Sequence, residues 1–143
     1  MAHSLALGAA KVGVNFTGAC PEGFEPNPEV MALARADAEG TGTVIEVVND
    51  PVAAVQGADA VYTDVWASMG QEEEAEKRKK LFAPYQVNRE LMDRAGPETI
   101  FMHCLPAHRG EEVTDEVADL PRSVIFQQAE NRLHAQKAVP VSY

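Results

Sequence analysis

Apolar, often β-branched runs recur at residues 14–19, 43–48, 60–65, 99–104 and 123–126, and helical patterns separate most of them. That alternation predicts an α/β fold, a parallel sheet with crossover helices. Asn27-Pro28 and Asp50-Pro51 each place a capping side chain before a proline at the first helical position, and Asn88 and Thr114 are further N-cap candidates. Gly13, Gly57 and Gly96 fall where helix C-caps are expected. The chain opens on an amphipathic helix, with Leu5, Ala9 and Val12 at i, i+4 and i+7, and no strand precedes it. A last helix starting near Gln127 is expected to bury Ala129 and Leu133 and to stop soon after Val139 at a proline. Both ends are abrupt, so the pattern predicts a piece of something larger.

Residues 72–80 read as a charged helix with almost no apolar face, carrying the i, i+4 pairs Glu73/Lys77, Glu74/Arg78 and Glu76/Lys80. Little would anchor it, which makes this helix and the loop before it a candidate lid beside a strand end. A plain solvated helix is the competing reading.

The 143 residues amount to one domain, with 45% hydrophobic and 24% charged positions in the ordinary globular range. A net charge of −10 opposes binding to phosphate backbones and anionic membrane faces, so neither nucleic acid nor membrane is expected as a partner. No run approaches the ~20 apolar residues of a membrane span, and no signal-peptide pattern opens the chain. Cys20 and Cys104 have no spacing that suggests a disulfide framework or metal knuckle, so a reduced, cytoplasmic setting is expected, with no metal and no cofactor.

Two segments carry the chemistry: Asp64-Val65-Trp66-Ala67-Ser68-Met69-Gly70 and His103-Cys104-Leu105-Pro106. Each begins where an apolar run ends, at the expected carboxyl end of a parallel strand, where open α/β sheets hold their ligands. They offer a carboxylate, a hydroxyl, a thiol and an imidazole. Each also has a plainer reading: Asp64 capping a turn, Cys104 as a small buried hydrophobe, His103 as hydrogen-bonded scaffold, Arg132 paired with Glu130. His108 and Arg109 read as structural. Gly8-Ala9-Ala10-Lys11-Val12-Gly13 lacks the ending of a phosphate loop and lies within a helix pattern.

Taken together with Glu130-Asn131-Arg132, the two segments resemble the ornithine-binding, C-terminal domain of the aspartate/ornithine carbamoyltransferase family, in its ornithine branch. The resemblance runs from Ala2-His3-Ser4-Leu5 to about Ala138. It implies a three-layer, Rossmann-like parallel sheet lacking its first, central strand, and a single truncated domain, 1–143, of a two-domain enzyme. It implies that Asp64 and Ser68 hold the α-amino end of ornithine, with Met69 closing over the ligand. Cys104 would lie beside the side-chain amine, Leu105 would present backbone to the carbamoyl group, and Arg132 would meet the carbonyl oxygen of carbamoyl phosphate. His103 would orient the turn, and the Leu105–Pro106 bond would be cis.

The reaction so implied moves a carbamoyl group from carbamoyl phosphate to ornithine, giving citrulline and phosphate. An alkyl amine of pKa ~10.4 is deprotonated in fewer than about one molecule per thousand at neutral pH, so making it nucleophilic costs ~4–5 kcal/mol without help. A lid of Ser68, Met69 and Gly70 that excludes water would provide part of that help. The family's Ser-Thr-Arg-Thr and His-Pro-x-Gln segments, which bind carbamoyl phosphate, do not occur here. The expectation is therefore a truncated chain inactive alone, of marginal stability, from an enzyme that is a homotrimer when complete. A carbamoyltransferase with another amine acceptor and a non-catalytic amino-acid-binding module are the alternatives.

Overall fold

A computed structural model describes residues 1–67 and 72–141, the side chains of 72–75 excepted. The chain divides into two units, Met1–Ala54 and Val55–Tyr143. Among the described residues four strands form two two-stranded parallel sheets, one in each unit.

The first unit runs α1 (Ala2–Val12), β1 (Phe16–Ala19), α2 (Pro28–Ala38) and β2 (Ile45–Val48), and α3 (Pro51–Val55) follows. β1 pairs with β2 from Phe16 opposite Ile45 to Ala19 opposite Val48. Gly13 closes α1 at φ 77°, a left-handed conformation that a side chain would resist. The buried face of α1 is Ala6 and Ala10, whereas Leu5 and Ala9 are half-buried and Val12 is 74% exposed. The buried face keeps the i, i+4 spacing but is turned by one residue from the predicted one. Alanines face the core because α1 lies close to α2, whose own inward residues are Met31, Ala34 and Ala38. His3 helps to join them, its Nε2 accepting the Asn27 N–H at 2.8 Å.

The second unit contains β3 (Ala60–Thr63), α4 (Glu72–Phe82), a 3-10 turn at Ala83–Tyr85, α5 (Arg89–Ala95), β4 (Ile100–His103), α6 (Asp115–Ala118) and α7 (Ile125–Val141). β3 and β4 run parallel from Ala60 opposite Ile100 to Thr63 opposite His103. Phe101, Met92, Val113 and Val117 are the large buried residues around β4.

All four expected N-caps form: Asn27 accepts from Glu29 and Val30, Asp50 from Val52 and Ala53, Asn88 from Leu91, and Thr114 from Val117. The expected strand at 123–126 does not form. Ser123 makes a single bridge to Phe101, and Ile125 already begins α7. Helix α7 runs on through Pro140, and Ala129 and Leu133 are exposed rather than buried, because only its first turns lie against β4. The charged segment is helical as expected. Glu76 pairs with Lys79 at 3.5 Å rather than with Lys80, and Lys79 also reaches Glu111 at 2.9 Å.

Candidate functional site

Strands β3 and β4 are adjacent and end level with one another, so the residues just beyond them, Asp64 and Cys104, are brought together. The Cys104 thiol donates to Asp64 Oδ1 at 3.1 Å, and the same oxygen accepts the Val65 N–H at 2.8 Å. Burial, and then the neighbouring carboxylate, push the Cys104 thiol up from its ordinary range. The sulfur is therefore a neutral donor rather than a thiolate nucleophile.

Tyr62 lies two residues before Asp64 on the same face of β3, and burial followed by the Cys104 beside it raises its phenol strongly. Gln128, in the first turns of α7, accepts the His103 backbone N–H at 3.0 Å, tying that helix to the end of β4.

The turn after β4 is built around His103, which is wholly buried. Its Nδ1 accepts the Leu105 N–H at 2.8 Å, which places the ring proton on Nε2, facing Glu112 Oε1 at 3.2 Å. Glu112 is buried too, and its Oε1 also accepts the His108 N–H. Burial raises the Glu112 carboxyl, but the hydrogen bonds from His103 and the His108 backbone outweigh it and hold the group below its ordinary value of 4.5. Leu105, held by this ring, has φ 56°, a left-handed conformation disfavoured by ~1–2 kcal/mol outside glycine. The Leu105–Pro106 bond is cis, as the resemblance implied. His103 thus orients the turn through a Glu112–His103–Leu105 relay.

Arg132 lies one helical turn beyond Gln128 on the same face of α7 and is exposed. Among the described residues no hydrogen bond or ion pair ties it to Asp64 or Cys104. Arg109 is structural as read, chelating Asp119 at 2.7 Å and reaching Asp115 at 3.1 Å. Ser68 and Met69 lie outside the described residues. The stretch before them is fixed at Trp66, whose ring meets Phe82 at 6.2 Å and whose carbonyl accepts from Arg78 at 3.4 Å. Phe82 in turn meets Tyr85, so the end of α4 has the apolar anchor that its charged length lacks.

Sequence reasoning passed over Glu112, Gln128 and Tyr62. A glutamate in Arg109-Gly110-Glu111-Glu112 has the composition of a solvated loop, and nothing local marks which of the two acids is buried. Tyr62 was legible in principle, since strand periodicity sets it on the face of Asp64.

The whole chain, residues 1–143, matches the model of the aspartate/ornithine carbamoyltransferase Asp/Orn binding domain. This chain belongs to that family. Over 139 residues it is 61% identical to the ornithine carbamoyltransferase of Thermococcus kodakarensis, covering 97% of this chain and 44% of that protein. The solved structure of ornithine carbamoyltransferase from Pyrococcus furiosus matches with a TM-score of 0.91 at 58% identity, covering 96% of this chain and 44% of that one. An acetylornithine transcarbamylase complexed with acetylcitrulline matches with a TM-score of 0.86 at 30% identity, covering 99% of this chain and 43% of that one. The chain thus spans less than half the length of these carbamoyltransferases, and its Rossmann-like α/β construction is that of their Asp/Orn binding domain.

Proposed function

We propose that this chain is the ornithine-binding part of an ornithine carbamoyltransferase, with residues 1–143 serving as a single domain that acts together with a carbamoyl-phosphate-binding domain. The observation that carries the reading is the contact of Cys104 with Asp64 across the ends of β3 and β4, next to a Leu105 amide fixed by His103. Asp64 attracts the α-ammonium of the amino acid, with Ser68 and Met69 completing the hold on it. Cys104 faces the side-chain amine. A neutral thiol does not favour the ammonium form there as a thiolate would, so the amine is more readily freed of its proton. The amine lone pair then attacks the carbamoyl carbon, the bond from that carbon to the phosphate oxygen breaks, and the proton shed by the nitrogen passes to the departing phosphate.

Leu105 presents its backbone to the carbamoyl group. Arg132 steadies the charge that develops on the carbonyl oxygen, where preorganised donors are most effective. No cofactor or metal takes part in this chemistry. The products are citrulline and phosphate, the setting is the cytoplasm, and the complete enzyme is a homotrimer.

Calorimetry with L-ornithine tests the reading. The expected result is binding that Asp64→Asn weakens by roughly tenfold or more, since a charge-assisted contact is worth ~1.5–3 kcal/mol. Adding a separately expressed carbamoyl-phosphate-binding domain of a relative should then yield citrulline, and Cys104→Ala should lower that rate. No ornithine binding sinks the proposal. Binding that never leads to turnover would leave a non-catalytic amino-acid-binding module instead. A preference for acetylornithine would move the chain to the branch with that acceptor.

A further inference from the structure

Beyond the site just described, the loop after Pro106 brings together three potential metal ligands that the proposed reaction does not use. His108, Glu111 and Glu112 each offer one ligand atom, and these atoms lie within 4.8 Å of one another. The loop backbone is held on several sides. Glu111 N–H closes a turn on the His108 carbonyl at 2.9 Å, and Gly110 N–H bonds the Val113 carbonyl at 2.8 Å. The Gln86 amide donates to the carbonyls of Gly110 and Glu111, at 3.1 and 2.7 Å. Gly110 sits at φ 87°, which lets the chain reverse so that the three side chains share one side. Arg109, the cation in their midst by sequence, is turned away to Asp115 and Asp119.

A second observation points to a ligand. Glu112 is wholly buried, and while its Oε1 is engaged by His103 and the His108 N–H, its Oε2 is buried without a hydrogen-bond partner. That orphaned oxygen faces His108 Nδ1 at 3.9 Å. A buried carboxylate oxygen left unsatisfied is costly, and a cation between it and the imidazole would satisfy it.

We infer that His108, Glu111 and Glu112 form a binding site for a divalent transition-metal cation of the zinc class. One imidazole with two carboxylates suits such an ion better than calcium or magnesium, and three protein ligands leave a position open to water. The hydrogen bond from His103 to the other Glu112 oxygen supplies the outer support that ligating carboxylates ordinarily have. Lys79 competes, since it holds one Glu111 oxygen at 2.9 Å. Through Glu112 and His103 the ion would stiffen the turn that carries Cys104 and Leu105, so metal occupancy and the geometry of the candidate site are linked.

Isothermal titration of the chain with Zn2+ decides it. The expected result is one saturable equivalent, weakened at least about tenfold by His108→Ala and also by Glu111→Gln, a loss in the range set by disturbing a metal site. Lys79→Ala, which removes the competitor, should tighten binding, an effect that a purely structural role for these residues would not produce. Cys104→Ser should leave the binding unchanged. Absence of saturable binding overturns the inference, and so does binding that survives His108→Ala but vanishes in Cys104→Ser, because the ion would then sit on the Cys104–Asp64 pair.

Discussion

The two units share a plan, a pair of parallel strands joined through helices, yet they bury different things. The first closes around Ala6, Ala10, Ala34 and Ala38 with Met31 and Ile45, and leaves Val12, Val14, Leu33 and Val44 exposed. The second closes around Phe101, Met92, Val113 and Val117, and sinks a histidine and a glutamate among them. In the first unit the buried ionisable group is Cys20, raised by burial and then by Glu25. A core of small apolar residues lets helices approach closely and has no chemistry to offer. A core that encloses His103 and Glu112 accepts a desolvation penalty in order to hold one turn in one shape. On the proposed reading, the second unit is the one that holds the reacting groups, and its buried His103 and Glu112 fix the turn beside them.

The sharpest way to break that contrast is to remove the buried acid. Glu112→Ala strands the Nε2–H of His103 and the His108 N–H, and should lower stability by ~3–5 kcal/mol in urea denaturation. A loss under ~1 kcal/mol would mean that the relay contributes little. Met31→Ala, a large truncation within the alanine-lined core, should cost ~2–3 kcal/mol.

The pH dependence separates charge from shape. Glu112 is held below its ordinary value of 4.5 when folded, so its contribution is complete at neutral pH. It fades as pH falls below about 4.5 through the lowered folded value, because protonation then favours the unfolded chain. Glu112→Gln keeps the acceptor oxygen but does not titrate, so this part of the acid destabilisation should flatten. An unchanged acid limb would place the sensitive carboxylates elsewhere. At the small end the two units should behave alike. Asn27→Ala and Asn88→Ala each remove an N-cap bond, and each should cost ~1 kcal/mol by thermal or urea unfolding.

Much of the site was legible because its signals are short. Asp64 and Cys104 each end an apolar run, and parallel register places two strand ends side by side. The cis bond and the role of His103 followed from the resemblance. Ala129 and Leu133 lie exposed where the pattern predicts burial, because periodicity shows that a helix has an apolar stripe but not which neighbour covers it. The run at 123–126 has strand composition, yet only Ser123 meets a partner before α7 begins.

By itself the sequence determined what is decided within a few residues: four of the five strand runs, the four N-caps, the glycines that end helices, and the two motifs that mark the family. Caps act over three residues, and strand composition over four to six, so a linear pattern contains them whole. Tertiary structure alone decided which of two consecutive glutamates is buried, that its second oxygen lacks a hydrogen-bond partner, and that Gln128 reaches the end of β4. Those outcomes depend on burial and on hydrogen bonds between segments far apart in the chain, such as His103 with Gln128, and no local pattern encodes the solvent that packing removes.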